Sequence, residues 1–311
     1  QRVLRQALAG MIWTKQYYEY DVECWLNESP RSSTRNADWR HMRCRDIISM
    51  PDKWEYPWFA AWDSAFHALP LAMIDPAFAK QQLSLFLENR YQHPNGQLPA
   101  YEWDFCDVNP PVHAWAVYTV YQICQDYHQQ KDLTFLKTAF ANLERNYSWW
   151  ESHREPDKNV YEGGFLGLDN IGVFDRSAAL PTGGHLEQSD ATAWMTLFSQ
   201  NMLQMALELS LHDPDYEQRV LSYLNKFMAT AAAMQDISDE HRDMWDKEDG
   251  FFYNVLRFPD GHSTRLKIRS LVGLLPLCAQ PVAAYPAWIF LPQLPRTKAA
   301  EKSTLDKLPQ V

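Results

Sequence analysis

Three times in this chain an apolar helical pattern is broken by an aspartate and at once resumed. Asp75-Pro76, Asp132 and Asp213-Pro214 each stand between two stretches of helical spacing. An aspartate caps a helix by accepting a backbone N–H. Proline suits the first turn, where an amide has no intrahelical partner to lose. Each of these sites therefore ends one helix and starts another with almost no loop, which forces an antiparallel hairpin. The predicted pairs are 58–74 with 75–91, 109–128 with 132–151, and 189–211 with 215–235. The connections between pairs are long, over 92–109 and from the end of one helix to residue 188. Short turns therefore gather at one end of the molecule and long loops at the other.

The first helix of a pair is the more apolar, as Phe59, Trp62, Phe66, Leu69, Leu71 and Met73 show. It reads as an inner helix, and its amphipathic partner as an outer one. A ring of such pairs is an all-α fold, an (α/α) toroid with its cleft at the long-loop end. An open solenoid is the alternative. Against it, the pairs lack self-similarity and each long loop is different. Leu4, Leu8, Met11, Ile12, Tyr18, Val22 and Trp25 predict one helix over 2–26, and 27–57 reads as loop. A strand pair, 251–256 with 265–268, is expected around Pro259-Asp-Gly261, followed by a helix over 268–279. Beyond it Pro281, Pro286, Pro292 and Pro295 exclude a long helix. Residues 1–280 thus read as the helical domain and 281–311 as an irregular Pro-rich tail.

A net charge of -10 argues against a nucleic-acid partner. No apolar run is long enough to span a membrane. The five cysteines are scattered without a C-x-x-C pair, so they read as reduced thiols of a cytoplasmic protein. The histidines show no H-E-x-x-H spacing, and no metal or other cofactor is expected. P-loop, G-x-S-x-G and dinucleotide motifs are absent from the sequence, which lowers the odds of phosphoryl transfer, serine hydrolysis and hydride transfer. Thirteen Trp, 15 Tyr and 15 Phe are either core or the walls of a sugar cleft, because sugar C–H faces stack on flat rings.

The chemistry is best sought in the segment 161–177. It holds Gly163, Gly164, Gly167 and Gly172 with Glu162, Asp169 and Asp175. Glycines let a ligand approach the backbone closely, and a long loop in a compact domain is usually functional. Asp169, between Gly167-Leu168 and Asn170, is either an acid held in a cleft with a raised pKa or a turn aspartate bonding its own backbone. Asp63 lies within an apolar helix, where a carboxylate needs a partner: sugar hydroxyls, or a neighbouring Arg2, Arg5 or Arg176. Asn109 is an N-cap or a ligand contact. Glu187 and Asp190 suit the start of a helix by charge alone.

In order along the chain, Trp54-Glu-Tyr-Pro-Trp-Phe-Ala-Ala-Trp-Asp63, Asn95-Gly96, Asn109-Pro-Pro-Val-His-Ala-Trp115 and Gly167-Leu-Asp-Asn170 resemble glycoside hydrolase family 63. The likeness is to bacterial glucosidases of the mannosylglycerate and glucosylglycerate hydrolase type. It implies an (α/α)6 barrel and inverting hydrolysis of an α-linked glucoside or mannoside, a small carbohydrate substrate. It implies Asp169 as general acid, Trp62 and Asp63 as sugar-binding residues, and Tyr56 as a substrate contact. Trp58, Trp103, Asn109, Gly167, Asn170 and Glu187 complete the candidate substrate site. Asn109 stands where many members have glutamine. The family's general base, a glutamate late in the barrel, has no counterpart here beyond the isolated Glu301.

The expectation is therefore a partial toroid whose base is supplied from outside this chain. It should hydrolyse little on its own and expose apolar helix faces. Two alternatives stay open. A sugar epimerase or isomerase would use His67, His113 and His185. A non-catalytic carbohydrate-binding protein would need no base.

Overall fold

The computed structural model describes residues 1–28, 35–50, 52–154, 159–163, 172–174, 176, 179–234 and 244–279. The three hairpins form as expected: α3 (Ala61–Ile74) with α4 (Pro76–Leu87), α5 (His113–His128) with α6 (Leu133–Arg154), and α7 (Ser189–Ser210) with α8 (Glu217–Met234). Each aspartate does the capping. Asp75 accepts the Phe78 N–H at 3.1 Å and Asp132 that of Phe135 at 3.0 Å. Asp213 accepts the Asp215 N–H at 3.2 Å and opens a short 3-10 turn before α8.

Helix α3 packs on α5 and α5 on α7, with α4 and α6 behind them. Most of α7 is buried, whereas α8 buries only Val220, Tyr223, Thr230 and Met234. The inner and outer roles inferred from amphipathicity hold for this pair. The main core fills the space between the layers with Leu71, Leu83, Val117, Phe140, Tyr147, Phe198 and Met202.

The capping aspartates have a second use. Lys15 reaches Asp75 at 2.6 Å, Lys80 reaches Asp132 at 2.6 Å and Lys137 reaches Asp213 at 2.8 Å. Lys80 and Lys137 each follow their own hairpin's cap at the same spacing, Asp75 to Lys80 and Asp132 to Lys137. Helices α4 and α6 are thus each clipped to the turn of the next hairpin. The pairs do carry a short self-similarity, and only the bridges make it visible.

The fold is mostly helical but not all-α. The predicted helix over 2–26 is three elements: α1 (Arg2–Trp13), strand β1 (Lys15–Asp21) and α2 (Val22–Glu28). Strand β1 pairs antiparallel with β2 (Arg43–Ser49), inside the stretch expected to be loop, from Lys15↔Ser49 to Asp21↔Arg43. Tyrosine-rich Lys15–Asp21 buries only Tyr18, and the pairing partner lies far along the chain. Tertiary pairing thus overrides helical spacing here. A three-stranded sheet, β3 (His185–Glu187), β6 (Asn254–Arg257) and β7 (Ser263–Leu266), contains the expected hairpin, with Gly261 at φ 85 in its turn. Two further short strands, β4 (Trp245–Asp246) and β5 (Phe251–Phe252), make a third sheet. The helix expected over 268–279 is a 3-10 segment, Leu271–Ala279, with Pro276 inside it. Helix α5 begins at His113 rather than at Pro110, and Val112, not Asn109, is its N-cap. Pro111 pushes the residue before it out of helical conformation.

Gly96 closes the turn after α4 at φ 99, and a Cβ there would overlap the Arg145 carbonyl. Its own carbonyl accepts from Asn146 Nδ2 at 2.8 Å and Gln92 Nε2 at 3.1 Å. Gly96→Ala should cost about 2 kcal/mol, read as a lower denaturation midpoint with an unchanged slope.

Candidate active site

The inner helices start at the long-loop end. His113 is buried at the start of α5 against the backbone of Ala61 at the start of α3, which only partly opposes the effect of burial on its imidazole. Lys131 and Tyr121 both reach Glu208 at 2.8 Å, so α5 and α7 also share their far ends. The Ala61 N–H bonds Ala100 O at 2.9 Å, and Ala60 bridges to Tyr101. The loop before α3 and the loop before α5 are therefore laced together.

Aromatic rings line this seam. Tyr56 and Trp58 meet edge to face at 5.2 Å, and Trp58 meets Tyr101 at 6.3 Å. Trp103 is exposed and stacks on the Arg35 guanidinium at 4.4 Å. Trp62 packs on Phe66 at 5.8 Å and Phe66 on Trp115 at 5.3 Å, which carries the aromatic wall from α3 to α5. Asp63 stands in the first turn of α3 beside Trp62. Burial raises its carboxyl above the usual range, and only its own backbone N–H opposes this. No cation pairs with it among the described residues. Arg176 is engaged elsewhere, so the internal ion pair considered for Asp63 does not form with it. Glu102, between Tyr101 and Trp103, accepts the Tyr18 hydroxyl and the Phe59 N–H, while burial pushes its carboxyl up. It fixes the aromatic loop to β1 and to the start of α3.

At the start of α7 the carboxylates are spoken for. Glu187 is buried, and Arg257 clamps both of its oxygens, Nη2 to Oε2 at 2.8 Å. A carboxylate held this way is poorly placed to take a proton from water, which disfavours Glu187 as a general base. Asp190 is fully buried and pairs with Arg176 at 2.5 Å, and the same guanidinium bonds Gln188 Oε1 at 2.9 Å. In the sequence Asp190 reads as a helix-start charge, and Glu187 as that or as a substrate contact. Their arginines lie on other segments, so nothing local announced the pairs. Asp169, Gly167 and Asn170 lie outside the described residues, as does Glu301. Asn109 is half-buried at the entrance to α5.

The three histidines of the epimerase alternative have separate surroundings, and Nε2 of His113 and of His185 has no hydrogen-bond partner among the described residues. His67 Nδ1 bonds Ser49 Oγ at 2.7 Å, His113 bonds Ala61, and His185 lies 3.8 Å from Glu187. Burial pulls His113 down to about 4. Among the described residues no group of three or more His, Cys, Asp and Glu side chains could hold a metal ion, and no helix is long and apolar enough to cross a membrane.

A family model, the mannosylglycerate hydrolase MGH1-like glycoside hydrolase domain, matches residues 56–288. The chain belongs to this family. An MGH1-like assignment agrees with the likeness to family 63 read from the motifs. The crystal structure of the GH63 mannosylglycerate hydrolase from Thermus thermophilus in complex with glucose superposes with TM-score 0.59 at 18% identity, over 75% of this chain and 68% of that one. The complex of that enzyme with Tris and D-glycerate gives 0.56 at 16% identity, over 76% and 70%. At such identities the likeness is one of fold. In sequence, the uncharacterized protein YMR196W of Saccharomyces cerevisiae is 49% identical over 296 residues, which are 88% of this chain and 27% of that protein. The MGH1-like chain thus spans about a quarter of that relative's length.

The MGH1-like match starts at Tyr56, within the aromatic turn, and takes in Asp63, the segment 161–177 and Glu187. Strand β1 and its Tyr18 precede the match, yet they anchor the Glu102 loop inside it.

Proposed function

We propose that this chain is the catalytic domain of an inverting glycoside hydrolase that cleaves an α-linked glucoside or mannoside. In this reading residues 1–280 form part of an (α/α)6 toroid, and α3, α5 and α7 begin at its sugar cleft. Asp169, placed by Gly167 and Asn170, is the general acid. It gives a proton to the glycosidic oxygen as the bond to the sugar breaks. A carboxylate on the opposite face takes a proton from the water that attacks, the two carboxyls standing roughly 6.5–9.5 Å apart. Glu187 is clamped and Glu102 is engaged, which leaves the base to a glutamate other than these two. Tyr56, Trp58, Trp62 and Trp103 supply flat apolar faces, Asp63 holds sugar hydroxyls, and Asn109 contacts the substrate from the α5 side. A proton and a water suffice for this chemistry. A cytoplasmic place of action fits five cysteines that are all free thiols.

The observation that carries the reading is Asp63: a carboxylate beside Trp62, raised by burial and without a cation among the described residues. Such a group is unfavourable for folding and wants a hydroxyl-bearing ligand. NMR of the sugar released from glucosylglycerate and mannosylglycerate tests the reaction. The β-anomer should appear first. First appearance of the α-anomer would refute inversion, and no release by the full-length protein would sink the glycosidase reading.

Asp63→Asn separates binding from folding. The folded protein holds the Asp63 proton more readily than the unfolded chain, so ionisation takes stability away as pH rises through the raised pKa. The substitution should therefore leave stability unchanged or raise it by at most on the order of 1 kcal/mol at neutral pH, since water screens the partly exposed carboxyl. That gain should disappear below the pKa of an unfolded aspartate. Turnover should fall, because hydrogen bonds to sugar hydroxyls strengthen in the transition state. Melting curves at acid and neutral pH, beside kinetics, check both halves. A large loss of stability would mean that Asp63 has a cationic partner after all.

A further inference from the structure

The turn before α3 is closed by hydrogen bonds to Asp52, and it presents its rings to water. Asp52 Oδ1 accepts the Trp54 N–H at 2.8 Å and the Glu55 N–H at 3.1 Å, and Asp52 O accepts the Tyr56 N–H at 2.9 Å. These hydrogen bonds to one residue hold the tip. At that tip Trp54 is 85% exposed. Trp13, at the end of α1, is 71% exposed. Lys53 lies between them, 5.2 Å from the Trp54 ring and 5.4 Å from the Trp13 ring, with no acidic partner among the described residues. From this sandwich the turn leads through Tyr56 to Trp58 and Tyr101. Of the two exposed rings, Trp54 thus stands two residues in sequence from Tyr56, the first ring of the candidate sugar cleft.

A tryptophan with its surface in water gains little from packing. Exposed apolar patches of this kind mark binding sites. These groups suit a carbohydrate chain: rings offer stacking to sugar C–H groups, and indole N–H and the lysine ammonium offer donors to hydroxyls. Trp54 precedes Tyr56 by two residues in a turn held by Asp52, so a chain that leaves the cleft past Tyr56 meets these rings next.

We propose that Trp13, Lys53 and Trp54 form an accessory platform for an oligosaccharide longer than a disaccharide. The protein's ligand is then a sugar chain, not only a small glycoside. This rests on the glycosidase reading of the cleft.

The test is calorimetric titration of the full chain with glucose, maltose and maltoheptaose, in the parent and in Trp54→Ala and Trp13→Ala. Both rings are mostly exposed, and melting curves verify that the variants fold. Maltoheptaose should bind about tenfold tighter than maltose. Each substitution should remove most of that gain and leave maltose within about twofold. Equal affinities for the two sugars, or variants that retain the gain, overturn the platform while maltose binding lost in Asp63→Asn still supports the cleft. Absence of binding to all three sugars overturns the platform, and sugar release from glucosylglycerate or mannosylglycerate then decides the cleft separately. Variants that become more soluble with unchanged saccharide affinity identify a protein-contact surface and also overturn the platform.

Discussion

Asp169→Asn is expected to lower turnover by about 10²–10⁴-fold and to leave the melting temperature within a few degrees of the parent. The amide has the size of the carboxyl and cannot give a proton to the leaving oxygen. The position lies in a glycine-rich connection, so the exchange removes little packing. The natural full-length protein is the right material, with an α-glucoside as substrate. A good leaving group offers a second reading. A substrate whose leaving group departs without protonation should regain much of the lost rate, because the acid is then dispensable. Near-parent turnover on an ordinary glycoside would remove Asp169 from the mechanism.

The second large effect is on folding. Glu187→Ala should destabilise the domain by about 3–5 kcal/mol. Both oxygens of Glu187 are taken by Arg257, and the carboxylate is 1% exposed. Its removal leaves a guanidinium with little access to water. The pair also joins β3 to β6 in the sheet that leads into α7. Glu187→Gln should cost less, because one amide oxygen still accepts from the fork. Chemical denaturation of the two variants beside Arg257→Ala, as a double-mutant cycle, measures the coupling. If Glu187→Ala keeps full stability and loses only turnover, Glu187 is a general base and the clamp is incidental.

The two experiments separate the acids of this protein by what surrounds them. Asp169 is expected to matter for rate alone and Glu187 for stability first. Asp63 sits between: a carboxylate that the fold tolerates without a described partner and that a ligand would satisfy.

The hairpins were legible because their signals are local. A capping aspartate acts within one turn, and an apolar stripe shows in the spacing of one helix. The alternation of short turns and long loops follows from those signals, and with it the end of the bundle where a site belongs. Strand β1 was not legible. Lys15–Asp21 has no strong pattern of its own, and its partner Arg43–Ser49 lies across a polar stretch. A strand exists only with its neighbour, so one segment's spacing is a poor guide to it.

The sequence by itself determined that the chain makes aspartate-capped helical pairs. It also determined that aromatics gather before α3 and that Asp63 sits in an apolar helix. Only the tertiary structure decided which charges meet. Arg257 closes on Glu187, Arg176 on Asp190, and Lys80 and Lys137 each on the next hairpin's cap. Among the described residues Asp63 is left without a cation. These outcomes depend on distances between segments far apart in the chain, set by packing of the core, whereas a cap or an apolar stripe is settled within a few residues.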